Sequence, residues 1–258
     1  MTLPKKVLEI ACFNYESAVA AAEGGADRIE LCKDYTSGGL SPDTTTLEQL
    51  KSQITIPVYA MIRPQAQNFF YEESEFETMK MTLNSLKHHG ADGFVFGILN
   101  QFPHKAWNGR EHWIDVPRNK ALVRLAEGRP CTFHRAFDLI PEYYWDIALT
   151  DIIECGFTSI LTNGGPSGIK AAECADKLAK LVAWEHPKEE NGDQQHNCVA
   201  EIIVGGGVRS SNIDMLLRVT GASAFHSAAL LHSNEMVSKN EVDKMKVTIG
   251  LFKSSYKE

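Results

Sequence analysis

Three stretches of the chain carry groups that could move protons or hold charge in a confined space. Thr132-Phe133-His134-Arg135-Ala136-Phe137-Asp138 sets an imidazole, a guanidinium and a carboxylate close together, and His226-Ser227 adds a second imidazole. Arg28-Ile29-Glu30-Leu31-Cys32 alternates with period two, so Ile29 and Leu31 share one face and Arg28, Glu30 and Cys32 the other. Imidazoles and carboxylates act as general acids and bases, and arginines stabilise developing negative charge. A single histidine on a strand is more often a satisfied core residue. Two histidines and two arginines (Arg63 and Arg135) converging on one rim point instead to a pocket, because such clusters are costly to bury without a use.

The elements that must position these groups show themselves as a repeat. Gly25-Ala26-Asp27-Arg28-Ile29-Glu30 has relatives beginning at Gly90, Gly156 and Gly221, with spacings of 65, 66 and 65 residues. Each glycine closes a helical pattern as a left-handed cap and precedes a β-rich run. A βα unit needs roughly 30 residues, so each period holds two of them and four periods give eight units. The odd strands fall at Val7–Ala11, Pro57–Arg63, Cys131–Arg135 and Ala200–Val204. Phe76, Met79, Leu83 and Leu86 form one apolar helical stripe after a Ser74-Glu75-Phe76-Glu77 capping box, and Val242, Met245, Ile249 and Phe252 another. Ser41-Pro42 reads as an N-cap with a proline at the first helical position, and Ser210 and Ser211 as candidate N-caps. Eight alternating units predict an α/β fold, a single-domain (β/α)8 TIM barrel spanning residues 1–258, with insertions near 100–117 and 186–197.

In a closed barrel one face of each strand points into the axis. Arg28, Glu30 and Cys32 then line the lumen at three heights, with Arg28 low enough to serve as a structural ion pair with Glu9 or Glu30. The upper rim collects Cys32, Arg63, His134, Arg135, Asp138, Asn163 and His226. Gly205-Gly206-Gly207 after strand seven, together with Asn163-Gly164 and Ser227, could offer backbone N–H groups to an anion. The alternative is that these glycines only turn the chain.

Composition excludes several classes. A net charge of −7 with no basic run argues against nucleic acid. No apolar stretch reaches the roughly 20 residues of a membrane span, and no signal-peptide pattern opens the chain, so a cytoplasmic protein is expected. Six scattered cysteines without a CxxC pair read as reduced thiols. Aromatic residues in the 100–117 insertion point to a homodimer.

Taken in order, LEIAC (8–12), GADRIELC (25–32), GGLSPD (38–43), MIRP (61–64), ADGFVFGIL (91–99), TFHRAFD (132–138), ILTNGG (160–165), VGGGV (204–208) and FHSA (225–228) resemble the CutC copper homeostasis family over nearly the whole chain. The resemblance implies a cytoplasmic TIM barrel linked to copper handling, with a site at Glu9, Arg28, Glu30, Arg63, His134, Arg135, Asp138 and His226. It also implies Cu(I) on cysteines ending strands one and two, here Cys12 and Cys32; by donor chemistry alone, the Met61 thioether is a weaker candidate. Where the family usually has cysteine after Glu-Ile this chain has Ala11, and parity turns Cys12 away from the face of Glu9. The family's IRPRGGDF is here Ile62-Arg63-Pro64-Gln65-Ala66-Gln67-Asn68-Phe69.

Three functions compete. The first is copper handling through thiolates. The second is acid–base chemistry on a small anionic or phosphorylated substrate, without a Schiff-base step, because no strand interior carries lysine. The third is a barrel retired to partner binding through the Trp107–Trp113 loop.

Overall fold

Strands with one apolar and one polar face close on themselves here, which hides both. The computed structural model describes residues 6–105, 111–185, 200–230 and 236–254. Among these residues ten strands follow one another: β1 (Val7–Cys12), β2 (Arg28–Leu31), β3 (Val58–Met61), β4 (Gly93–Phe96), β5 (Leu99–Lys105), β6 (Glu111–Ile114), β7 (Cys131–Phe133), β8 (Ser159–Thr162), β9 (Glu201–Val204) and β10 (Ala224–Ser227). Eight of them form a closed parallel barrel in the order β1-β10-β9-β8-β7-β4-β3-β2, while β5 and β6 make a separate antiparallel hairpin. Around the barrel lie α1 (Tyr15–Glu23), α2 (Thr44–Gln53), α3 (Glu73–His88), α4 (Val116–Leu125), α5 (Trp145–Cys155), α6 (Ala175–Glu185), α7 (Ile213–Thr220) and α8 (Lys239–Ser254). This is a (β/α)8 barrel.

The alternation of side chains decides where the core sits. Leu8, Ile10, Ile29, Leu31, Phe94, Phe96, Phe133, Ile160, Ile202, Val204 and Phe225 belong to one large apolar cluster with the buried stripes of the helices. Phe76, Met79, Leu83 and Leu86 are that stripe on α3, and Val242, Met245 and Ile249 on α8. Fully burying a side chain of this size contributes roughly 1.5–3 kcal/mol, so this layer carries most of the stabilisation. The opposite strand faces fill the lumen differently. Two small apolar groups, Cys32-Tyr59-Met61-Val95 and Leu161-Ile203-Ala224, are separate from the main cluster. Between them stand the buried polar residues Glu9, Arg28, Glu30, Thr132 and Ser159.

Gly25, Gly90, Gly156 and Gly221 all have positive φ, as the repeat requires. The caps differ from expectation at three places. Helix α3 begins one residue before Ser74, and its reciprocal bond runs from the Glu72 N–H to Glu75 Oε2 (2.8 Å). Helix α2 begins at Thr44 after Asp43, which leaves Ser41 Oγ to accept the Arg63 backbone N–H at 2.8 Å. Helix α7 begins at Ile213 after Asn212, and Ser210 instead donates to Glu241 through its backbone N–H and its hydroxyl.

The first expected insertion is the β5–β6 hairpin, pinned to α5 by His112 Nδ1 against Asp151 Oδ2 (2.9 Å). The second, at 186–197, lies outside the described residues, as do Trp107 and Cys198. The five described cysteines are free thiols. Among the described residues no helix is long and apolar enough to cross a membrane.

Candidate functional site

The parallel register stacks the lumen residues of β1, β2 and β10 in layers. Glu9 stands opposite His226 on one side and Arg28 on the other, and Ala11 stands opposite Glu30 one layer higher. Glu9 is fully buried and divides its two oxygens. Oε2 accepts from Arg28 Nε at 2.5 Å, and Oε1 is 2.7 Å from His226 Nδ1. Glu30, also buried, accepts the Cys32 thiol on Oε1 at 3.5 Å. Its Oε2 is buried without a hydrogen-bond partner and lies 4.0 Å from His226 Nδ1. Arg28 lies over the Tyr59 ring at 4.4 Å. The ion pair foreseen for Arg28 is therefore with Glu9.

Electrostatics split the two carboxyls. Burial works against the charge of Glu9, but Arg28 and His226 outweigh it and hold the carboxyl down at about 2. Burial raises Glu30, and the negative charge of Glu9 adds to this. Burial disfavours the charged form of His226, yet Glu30 and Glu9 overcome it and raise its pKa. One carboxylate stays ionised while the second and the imidazole compete for a proton.

A second corner of the lumen is built on β3, β4 and β7. His134 follows Phe133, which faces the helices, and so turns inward. Its Nδ1 accepts the Ala136 N–H (3.3 Å), its ring packs edge-on to Phe69 (centroids 4.6 Å apart), and its Nε2 is buried without a partner among the described residues. Burial, reinforced by the positive charge of Arg63, depresses this imidazole to about 3, so it is neutral. Arg63 does not join Glu9 and Glu30. Its guanidinium is wrapped by the carbonyls of Ser37 (2.8 Å), Gly39 (3.1 Å) and Ala66 (2.8 Å) and stacked on Phe69. It locks two rim loops together.

Asp138 is an anchor too. Its Oδ1 accepts from Thr162 Oγ1 (2.6 Å) and the Asn163 N–H (3.1 Å), and its Oδ2 from Arg135 Nε (2.7 Å). Arg135 is held by that bond but stays partly exposed, close enough to the mouth for its charge to oppose protonation of His226. Asn163 is saturated within its own loop: its Nδ2 donates to Pro166 O (3.0 Å) and Ile169 O (2.8 Å), and its Oδ1 accepts from Gly165 N. Gly164 is small because a Cβ there would stand 2.6 Å from Leu178 Cγ. Neither residue turns a free group to a ligand.

Ser227 donates to Val208 O (2.6 Å) and accepts from Ala229 N (3.0 Å) and Arg209 Nη1 (3.1 Å). Gly206 and Gly207 take φ of 92° and 80°, and a Cβ on Gly206 would meet Asn163 Cβ at 2.7 Å. The turn thus places Arg209 at the end of β10. Sequence reasoning missed this residue, although an arginine two positions after three glycines in VGGGVR was the available signal. Two cavities flank the same face. One, of about 500 Å3, is lined by Gln65, Asn68, Tyr71, Asn100, Asp115 and Arg118, and the other, of about 240 Å3, by Asp138, Ile140, Trp145, Gly165 and Lys177.

The thiols are placed apart. Cys32 faces the lumen with Tyr59, Met61 and Val95, whereas Cys12 belongs to the apolar layer between sheet and helices with Ile10 and Leu31. Burial, then the nearby carboxylates, raise both well above the ordinary thiol range. At the lumen position beside Glu30 stands the methyl group of Ala11.

The CutC family model matches residues 6–231. The chain belongs to the CutC family. A CutC family protein of Treponema denticola is 37% identical over 90% of this chain and 85% of its own. A copper homeostasis protein cutC homolog of Homo sapiens is 34% identical, over 86% of this chain and 73% of its own. The crystal structure of a putative copper homeostasis protein CutC from Streptococcus agalactiae superposes with a TM-score of 0.75 at 26% identity, covering 86% of this chain and 98% of that one.

Proposed function

We propose that this CutC chain is an enzyme performing acid–base chemistry on a small anionic substrate held at the barrel mouth. The observation that carries the reading is the buried Glu9–His226–Glu30 cluster, in which Glu30 Oε2 is left without a partner beneath a rim that carries Arg135 and Arg209. A purely structural ion pair would satisfy its buried oxygens, because a lone buried polar group costs about 1–3 kcal/mol. In this reading Glu9 orients His226, which exchanges a proton with the substrate, and Glu30 supplies or stores that proton. Arg135 and Arg209 attract the anionic group. The lumen positions identified above include no lysine, and Lys33 and Lys170 are exposed, which favours isomerisation, epimerisation or hydrolysis over Schiff-base chemistry. Reduced thiols suit a cytoplasmic setting.

The test is a thermal-shift screen of phosphorylated and carboxylated metabolites, followed by deuterium wash-in from D2O with each hit. Stabilisation by such a ligand and exchange that His226→Asn abolishes are expected. A screen without anionic hits, or exchange unchanged in His226→Asn, contradicts the reading.

A second reading, Cu(I) held by sulfur, rests on Cys32 and Met61 sharing one lumen cluster. The dithiolate form of it does not fit this chain, since Ala11 occupies the lumen position and Cys12 faces the helices. Cu(I) titration of wild type against Cys32→Ala separates the two readings: unchanged affinity removes copper–sulfur binding.

A further inference from the structure

The mismatch with a thiolate copper site leaves the question of what the same lumen could hold. Glu9, Glu30 and His226 each offer a ligand atom, and these atoms all lie within 4.8 Å of one another. Each carboxylate has one oxygen tied from behind and one turned into the gap. Arg28 fixes Glu9 Oε2 and Cys32 fixes Glu30 Oε1. Glu9 Oε1 and Glu30 Oε2 are left facing His226 Nδ1, at 2.7 and 4.0 Å. Donors behind the ligands are the usual means of orienting a metal site. Glu30 Oε2, on a residue only 4% exposed, has no hydrogen-bond partner among the described residues and only His226 Nδ1 at 4.0 Å beside it, an independent sign that a cation in the gap would complete it.

We propose that Glu9, Glu30 and His226 bind a borderline divalent cation of the Zn2+, Mn2+ or Fe2+ class. Two carboxylates and an imidazole are the donor set of such ions, not of soft Cu(I). Metal–oxygen and metal–nitrogen bonds of about 2.0–2.2 Å put neighbouring ligands roughly 3–3.5 Å apart, between the two spacings found here, so small side-chain shifts suffice. Three protein ligands leave positions open for a substrate oxygen. The ion would take the place of the proton between Glu9 and His226. Counting two carboxylates, Arg28 and the displaced proton before, and two carboxylates, Arg28 and the ion after, with His226 otherwise neutral, the cluster changes from 0 to +1, a sign that suits an anionic ligand. The inference rests on the same cluster as the catalytic reading above but makes Glu30 and His226 ligands in place of proton carriers, and binding is measured without substrate, so either can fail alone.

The experiment is calorimetric titration of chelator-treated full-length protein with Zn2+ and with Mn2+, joined by absorption spectroscopy of the Co2+ form. Saturable binding of one equivalent is expected, with visible cobalt bands and no thiolate-to-cobalt charge-transfer band. Glu30→Gln is expected to weaken it at least about tenfold, with His226→Asn carrying the same expectation should Glu30→Gln misfold, and Cys32→Ser, which removes the thiol but keeps a donor behind Glu30 Oε1, to leave it unchanged. Absence of saturable binding, binding indifferent to the Glu30 and His226 variants, or binding lost in Cys32→Ser overturns the proposal.

Discussion

The barrel carries two buried histidines in surroundings that push them in opposite directions. His226 sits between two carboxylates, one holding its Nδ1 at 2.7 Å, and its pKa is raised. His134 sits against Phe69 and near Arg63, and is depressed to about 3. One corner of the lumen stores a proton and the other refuses one. The contrast arises from which side chains alternate inward on neighbouring strands: β1 and β2 bring glutamates, while β3 and the loop after it bring an arginine and an aromatic ring. Each corner keeps a buried atom without a hydrogen-bond partner among the described residues, Glu30 Oε2 in one and His134 Nε2 in the other. Function is assigned to the first because a second carboxylate and an imidazole stand beside it.

The largest expected effect breaks the charged corner. Glu9→Ala leaves Arg28 and His226 buried without their shared partner and should destabilise the fold by about 3–5 kcal/mol, read as a drop in urea midpoint. A loss below about 1 kcal/mol would mean that the corner is wetter or looser than its packing implies.

Next in size is a pH effect that sharpens the contrast. An unfolded His134 takes up a proton near pH 6.5, but the folded one does so only near 3. Between those values the unfolded chain binds the extra proton, so stability falls as pH falls, by up to roughly 1.4 kcal/mol per pH unit. His134→Gln should flatten that part of the urea-midpoint profile between pH 6 and 4. His226, whose pKa is raised, works with the opposite sign. Its contribution is complete below the unfolded value and is lost as pH rises through the folded one.

The smallest effect on stability is expected at the rim. Arg135 is partly exposed but its partner Asp138 is buried, so Arg135→Ala should cost about 1–3 kcal/mol while weakening anionic ligands about tenfold, as read by thermal shift and by titration. Equal ligand affinity in wild type and variant would move anion recognition to Arg209.

Much of this comparison was legible in the sequence because parity and spacing are local properties. Four glycines at intervals of about 65 residues mark alternate strands, and period-two alternation sends Glu30 inward and Ile29 outward. The pairing of Arg28 with Glu9 follows once β1 and β2 are neighbours. What stayed hidden depends on loops that fold back over the mouth. Arg63 has the parity of a lumen residue, but carbonyls of Ser37, Gly39 and Ala66 capture it, and nothing local to MIRP announces them. Asn163 has the composition of a ligand-binding amide and spends both side-chain polar atoms on its own turn. Arg209 was obscured by the glycines before it, and its bond to Ser227 Oγ spans 18 residues. Helix starts shifted by one to three residues wherever a neighbouring segment claimed the expected cap, as with Ser41 and Ser210.

The central claim is that Glu30 is kept for chemistry at some cost to the fold, and the denaturation midpoint of Glu30→Gln tests it most directly. Replacing a buried carboxylate whose Oε2 has no partner with a neutral amide should leave stability unchanged or raise it by up to about 1 kcal/mol. A loss of more than about 2 kcal/mol would make Glu30 a structural partner of His226 and contradict the account.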